Sequence, residues 1–116
     1  MTHNLRHLRT EADAAPLMPP YQGGGFHVVL FWRPSDPNAD AVLTKFASMD
    51  WGVLRNVSAL DIDAVPSVAQ WFGISETPTV AVILDGMLLC VEQGCEPGSC
   101  QRLERWALQQ HAHLSF

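Results

Sequence analysis

The sequence is nearly devoid of lysine and has no basic run: Lys45 is its only lysine, beside six arginines scattered over 116 residues. Nucleic-acid binding needs a stripe of Lys and Arg that neutralises phosphates and releases counterions, so no nucleic-acid partner is expected. The formal net charge is −5, which favours solubility and a basic partner surface. No apolar run is long enough to span a bilayer, so no membrane segment is expected. Met1 to Pro20 carries Arg6, Arg9, Glu11 and Asp13 without an apolar centre. That composition reads against a secretory leader and for a cytoplasmic location. Cysteine is absent until Cys90; Cys95 and Cys100 follow at once. An odd and local set argues against the disulfide framework of a small secreted domain.

What is present fits one globular domain. Charged residues make up 16% of the chain and hydrophobic ones 47%, a balance that disordered chains do not have. Residues 1–25 read as an N-terminal arm. Asn4 to Ala15 has Leu5, Leu8 and Ala12 at helical spacing, and Pro16, Pro19, Pro20 and Gly23 to Gly25 follow as breakers. Residues 26–116 read as the domain. His27 to Trp32 is a continuous apolar run, as in a strand covered on both faces. Ser35 or Asp36 is positioned to cap a helix with Pro37 in its first turn, carrying Ala41, Val42, Lys45 and Phe46 to about Asp50. Val53 to Ile62 predicts a second strand, and Pro66 to Phe72 a short helix stopped by Gly73. Thr79 to Leu84 and Met87 to Glu92 predict two strands joined by the two-residue turn Asp85-Gly86. Gly98 to Gln110 predicts a last helix. The strand–helix–strand start requires a right-handed parallel crossover, and the hairpin adds antiparallel strands. The expected architecture is α/β: a mixed four-stranded central sheet in the order β-α-β-α-β-β-α, flanked by helices.

The residues within this order resemble the thioredoxin family. Phe31-Trp32 is similar to the F-W pair before that family's redox centre. Leu60 to Pro66 resembles its strand ending in I-D, followed by a helix opened by Pro. Phe72 to Thr79 resembles its (Y/F)GI…PT segment, Asp85-Gly86 its hairpin turn, and Gly94 the glycine after its last strand. The resemblance implies the thioredoxin-like fold, and it implies a cis peptide at Thr77-Pro78. It also implies a groove in which the Thr77 backbone can pair with an extended peptide.

Against that pattern the CxxC centre is missing. Asp36 stands at the nucleophilic cysteine's position and Ala39 at the resolving one. Neither can form a mixed disulfide, so the usual exchange is chemically unavailable. The family's buried Asp before the F-W pair is Leu30 here, and its neighbouring Lys is Ala59. Three linked replacements describe a dismantled proton-transfer apparatus. A Ser35 nucleophile would need a base; the nearest in sequence, His27, lies at the far end of the same strand, so helix capping is the simpler role for Ser35 and Asp36.

The cysteines leave a second possibility open. Cys90 is expected in the last strand as a small buried hydrophobe. Cys95 adjoins Gly94, beside the groove, and Cys100 falls at the start of the last helix, where backbone N–H groups favour a thiolate. Pro97-Gly98 can fold the intervening loop toward disulfide distance. Cys95 and Cys100 are therefore candidate catalytic or regulatory thiols. A zinc site from the cysteines with His111 or His113 is disfavoured by the C-x4-C-x4-C spacing, and no metal or other cofactor is expected. Trp51, Trp71 and Trp106 read as packing residues. The leading expectation is a peptide- or protein-binding, chaperone-like accessory module. Its groove would be formed by Trp32, Ser35, Asp36, Pro37, Thr77, Pro78, Gly94 and Cys95. The alternative is a thiol-disulfide oxidoreductase, or a redox-regulated protein, using Cys95 and Cys100. The acidic balance and the Ser35-Asp36-Pro37 turn are also loosely similar to thioredoxin-like proteins of hydrogenase maturation that lack CxxC.

Overall fold

Two runs of apolar residues determine the centre of the molecule. Phe26–Trp32 (β2) and Thr79–Leu84 (β4) are buried along nearly their whole length, because neighbours cover both faces of each strand. The computed structural model describes residues 5–19, 25–49 and 56–94, together with Arg105 and Gln109. Around β2 and β4 stand Arg6–Leu8 (β1), Asn56–Asp61 (β3) and Met87–Gln93 (β5). The sheet has five strands in the order β1-β3-β2-β4-β5. β3 runs parallel to β1 and β2, whereas β4 runs antiparallel to β2 and β5 to β4.

Alternate residues of β2 face opposite layers. Phe26, Val28 and Leu30 join Val57, Ala59, Val80 and Val82 on one face, where Phe46, Val42 and Leu43 of Ala39–Ser48 (α2) pack. Val29 and Phe31 join Leu60, Ala81 and Ile83 on the other, beneath Val68 and Ala69 of Pro66–Trp71 (α3). Fully burying one such side chain contributes about 1.5–3 kcal/mol.

The strand count corrects the sequence-based expectation of four. The fifth strand comes from the segment read as an arm. Arg6 to Leu8 pairs in register with Ser58 to Leu60, and Leu8, Ala14 and Leu17 are buried in the second layer. The helix expected over Asn4 to Ala15 is a strand followed by the single turn Glu11–Ala14 (α1) and the 3-10 turn Ala15–Leu17. The Thr10 side chain accepts from the Asp13 N–H at 3.1 Å, and the Asp13 carboxylate accepts from the Arg9 N–H at 3.1 Å. These two bonds fix the start of α1 and keep the helix from extending back into the strand. Ser67 Oγ donates to Glu11 Oε1 at 2.8 Å, tying α1 to α3.

The β4–β5 turn has both central residues in the left-handed region, Asp85 at φ 50° and Gly86 at φ 80°, as two-residue hairpins of this twist require. A Cβ on Gly86 would lie 2.8 Å from the Pro19 nitrogen, so the N-terminal segment closes directly over this turn. Helix α3 ends where Gly73 was expected to stop it: the Gly73 N–H donates to the Gln70 carbonyl and the Ile74 N–H to the Ala69 carbonyl. Among the described residues no helix is long and apolar enough to cross a membrane. Arg105 and Gln109 are helical; the rest of the expected last helix, with Trp51 and Trp106, lies outside the described residues. Of the core or rim packing expected for the tryptophans, the core role does not hold for Trp71, which is 61% exposed at the end of α3.

Candidate functional site

The carboxyl-terminal ends of β2 and β3 and the start of β4 meet at one edge of the sheet. After Trp32 the chain turns through Arg33 to Asn38 before entering α2. Pro34 and Pro37 bring no N–H donors that would need partners in this exposed turn. The turn is held by the Asp36 N–H donating to the Arg33 carbonyl at 3.1 Å and the Ala39 N–H to the Asp36 carbonyl at 3.2 Å. The expected helix cap is corrected here. The residue preceding α2 is Asn38, at φ 59°, and it makes no side-chain cap bond.

Asp36 instead joins two loops. Its Oδ2 accepts from the Arg33 N–H at 3.0 Å, and its Oδ1 accepts from Thr77 Oγ1 at 2.7 Å. Forty-one positions separate Asp36 and Thr77, and the bond draws the β2–α2 turn against the loop between α3 and β4. The Thr77–Pro78 peptide is cis. On the far side of Pro78 its carbonyl accepts from the Gly94 N–H at 2.6 Å, and Thr79 Oγ1 donates to the Glu76 carbonyl at 2.6 Å. Among the described residues, the main-chain N–H and C=O of Thr77 have no hydrogen-bond partner.

Of the sequence-predicted groove residues, the structure brings Asp36, Thr77, Pro78 and Gly94 together and puts Trp32 at the strand end beneath them. Ser35 and Pro37 are exposed in the turn. Cys95 and Cys100, His111 and His113 lie outside the described residues. Cys90 sits in β5, half-buried against the first core layer and unpaired. Burial, then the nearby Glu92, raises its thiol above the ordinary range, which disfavours the reactive thiolate. His27 is at the opposite end of β2 from Ser35, buried, and held below the usual imidazole value by that burial and then by Arg6. Ser35 therefore has no base at hand from His27. No group of three or more potential metal-ligating side chains gathers among the described residues.

Two features escaped the sequence reading. Arg33 Nε lies 3.4 Å from Asp63 Oδ1, an ion pair at a distance and angle that do not make a hydrogen bond. Among the described residues, the Trp32 indole N–H is shut away from solvent with no partner. Neither carries a local sequence signal, because each depends on how the turn after β2 lies over the β3–α3 connection. There Asp61 Oδ1 accepts from the N–H groups of Asp63 and Ala64 at 2.9 and 3.3 Å, orienting Asp63. Shallow clefts flank the edge: one of about 210 Å³ between Arg33, Ile62, Ala69 and Ile74, another of about 180 Å³ between Phe72, Glu76, Leu88 and Val91.

The layer beneath the edge is apolar. Leu30 and Ala59 are direct register partners on β2 and β3, and both are buried. An acid–base pair there would be enclosed by Val28, Phe46, Val57 and Val80; the actual pair is continuous with that apolar layer.

No family model matches the chain. Uncharacterized proteins of Mycobacterium bovis and Mycobacterium tuberculosis are 32% identical to it over 85 residues, covering 68% of this chain and 26% of theirs. The chain thus spans about a quarter of the length of these relatives. Among solved structures, the thioredoxin of Malassezia sympodialis is similar at TM-score 0.74 and 17% identity, over 90% of this chain and 91% of that one. That of Fasciola hepatica is similar at TM-score 0.72 and 19% identity, over 89% and 99%. Mitochondrial thioredoxin 3 of Saccharomyces cerevisiae is similar at 0.69 and 14%, over 87% and 93%.

Proposed function

We propose, on the premise of a divergent thioredoxin-like fold with no cysteine at its usual reactive positions, that this chain is a non-enzymatic, chaperone-like protein-binding module. It holds an extended segment of a partner protein across the edge formed by Asp36, Thr77 and Gly94. The observation that carries this reading is the unpartnered Thr77 main chain. Backbone N–H and C=O groups are obligatory hydrogen-bonding groups, and an extended peptide laid beside Thr77 satisfies both as an added strand. The Asp36–Thr77 bond supports it by fixing the loop before a ligand arrives, which lowers the ordering cost of binding.

The reading excludes disulfide exchange at the old centre. Exchange begins with thiolate attack on a disulfide sulfur, and neither Asp36 nor Ala39 has a sulfur to offer.

A library of fluorescein-labelled ten-residue peptides, screened by polarisation with amide chemical shifts followed for the best binders, tests the proposal. Saturable binding with shifts at Asp36, Glu76, Thr77 and Gly94, abolished when the peptide backbone is N-methylated at the paired position, is expected. Binding that leaves those amides unmoved refutes it. So does insulin-disulfide reduction that disappears in Cys95→Ser and Cys100→Ser, since that assigns the chain to thiol chemistry.

A further inference from the structure

The peptide-binding reading leaves open what kind of segment the edge selects, and the side chains around Thr77 address that. Asp36 is half-buried, and its carboxylate accepts from one hydroxyl and one backbone N–H. An ionised carboxylate has about four acceptor sites, so roughly half of its capacity is unused. No cation among the described residues pairs with it: the described ion pair of this region joins Arg33 to Asp63. A half-buried carboxylate with spare acceptor sites and no cation partner among the described residues is open to a donor brought by a ligand.

Its surroundings have the same sign. The described segments that form this edge, from Arg33 to Asn38 and from Asp61 to Pro78, carry Asp36, Asp61, Asp63 and Glu76 against Arg33 alone. Arg33 is already engaged by Asp63. Asp61 turns one oxygen inward to the Asp63 and Ala64 N–H groups, while Glu76 is exposed beside Thr77. The unpartnered backbone of Thr77 and the unpaired carboxylate bonded to its side chain are thus adjacent. A single ligand that meets both is an extended backbone bearing a cationic side chain.

We infer that the Thr77 edge selects an extended, basic segment of its partner protein, with an Arg or Lys side chain seated against Asp36 and Glu76 while its backbone pairs with Thr77. This inference rests on the proposed peptide-binding function and names its specificity. Asp36 then has two tasks: it positions Thr77 through Oδ1 and reads a cation with its remaining lone pairs. A neutral segment pairs with the backbone only, and an acidic one is repelled by like charge.

The test uses the full chain and the best-binding peptide in two forms, one with Arg at the position nearest Asp36 and one with Gln there. The Arg form is expected to bind at least about tenfold more tightly at low salt, with the advantage shrinking as ionic strength rises. Asp36→Asn is expected to remove most of that advantage, read as the ratio of Arg-form to Gln-form affinity within the same variant, whatever it does to the affinity of both forms together. Because Asp36→Asn also disturbs the turn, Glu76→Gln provides an exposed second variant that leaves the Asp36–Thr77 bond in place. It should cut the Arg advantage about two- to threefold at unchanged thermal stability. Equal binding of both forms, or tighter binding of a Glu form, overturns the basic-segment inference while leaving peptide binding standing. Peptides that bind without moving the Thr77 amide, or none that bind, overturn both.

Discussion

Placing at position 30 the Asp that the thioredoxin pattern has there is expected to damage this protein. Leu30 is fully buried in the middle of β2, its register partner Ala59 is buried beside it on β3, and Phe46 of α2 packs on the same layer. Leu30→Asp removes an apolar side chain from a close-packed site, and large-to-small changes of that kind cost about 2–5 kcal/mol. The carboxyl group adds an unsatisfied polar group where no donor faces it, about 1–3 kcal/mol more. The sum, on the order of 3–8 kcal/mol at neutral pH, is comparable with the entire stability of a domain of this size. The sign of its pH dependence follows from the same burial. Desolvation raises the new carboxyl above its unfolded value of about 3.9. The ionisation part of the loss is therefore absent below about pH 4 and grows as pH rises. Urea unfolding followed by tryptophan fluorescence at pH 4 and pH 7 measures both effects. Adding Ala59→Lys supplies an opposite charge at a strand spacing of about 4.8 Å and should recover part of the neutral-pH loss, because breaking a buried pair is costlier than having one. A Leu30→Asp variant within about 1 kcal/mol of the parent at pH 7 would refute the argument that this layer is close-packed apolar core.

Two other perturbations probe the scaffold. Gly86→Ala puts a Cβ at positive φ and within 2.8 Å of Pro19. Left-handed backbone costs about 1–2 kcal/mol and overpacking about 1–3 more, so calorimetry should show Tm falling by on the order of 10 °C; an unchanged Tm would mean that Pro19 does not close over the turn. His27, whose pKa burial lowers, stays neutral in the fold, so the stability it contributes is complete above about pH 6.5 and is lost as pH falls through its depressed folded value. His27→Phe should flatten that acid limb in urea titrations between about pH 7 and 5; an unaltered slope would assign it to other groups.

The central architecture was legible because its signals are local. Thr79 to Leu84 and the Asp85-Gly86 turn coincide with the observed strand and hairpin, where an apolar run ends at the dipeptide that positive φ demands. Gly73 likewise marks the end of α3. The N-terminus was misread because Leu5, Leu8 and Ala12 satisfy helical spacing by coincidence. Leu8 is buried from a strand whose partner lies some fifty residues away, and single-sequence periodicity cannot register that pairing. Thr10 and Asp13 were the available signal, since a Thr three residues before an acid marks a helix start. It would have left Arg6 to Leu8 outside the helix.

Asp36 was misread for a related reason. A Ser-Asp-Pro sequence before an amphipathic stretch satisfies every local criterion for a helix cap, and capping is a local interaction. The decisive competitor was Thr77, distant in sequence and brought within 2.7 Å only by the sheet. The residue preceding α2 is Asn38, so the Asp36 carboxylate is not placed to cap the helix, and its oxygens accept from Thr77 and from the Arg33 N–H instead. That outcome bears on what replaced the nucleophile. A residue freed from redox work and left only to cap a helix would tolerate Ser or Asn equally. One that must accept from a threonine hydroxyl and a backbone N–H at once, and still keep acceptor capacity toward the groove, is best served by a carboxylate. On the proposed reading the charge at position 36 is part of the site's chemistry, serving recognition by hydrogen bonds and charge at the position where the thioredoxin pattern has the nucleophilic cysteine.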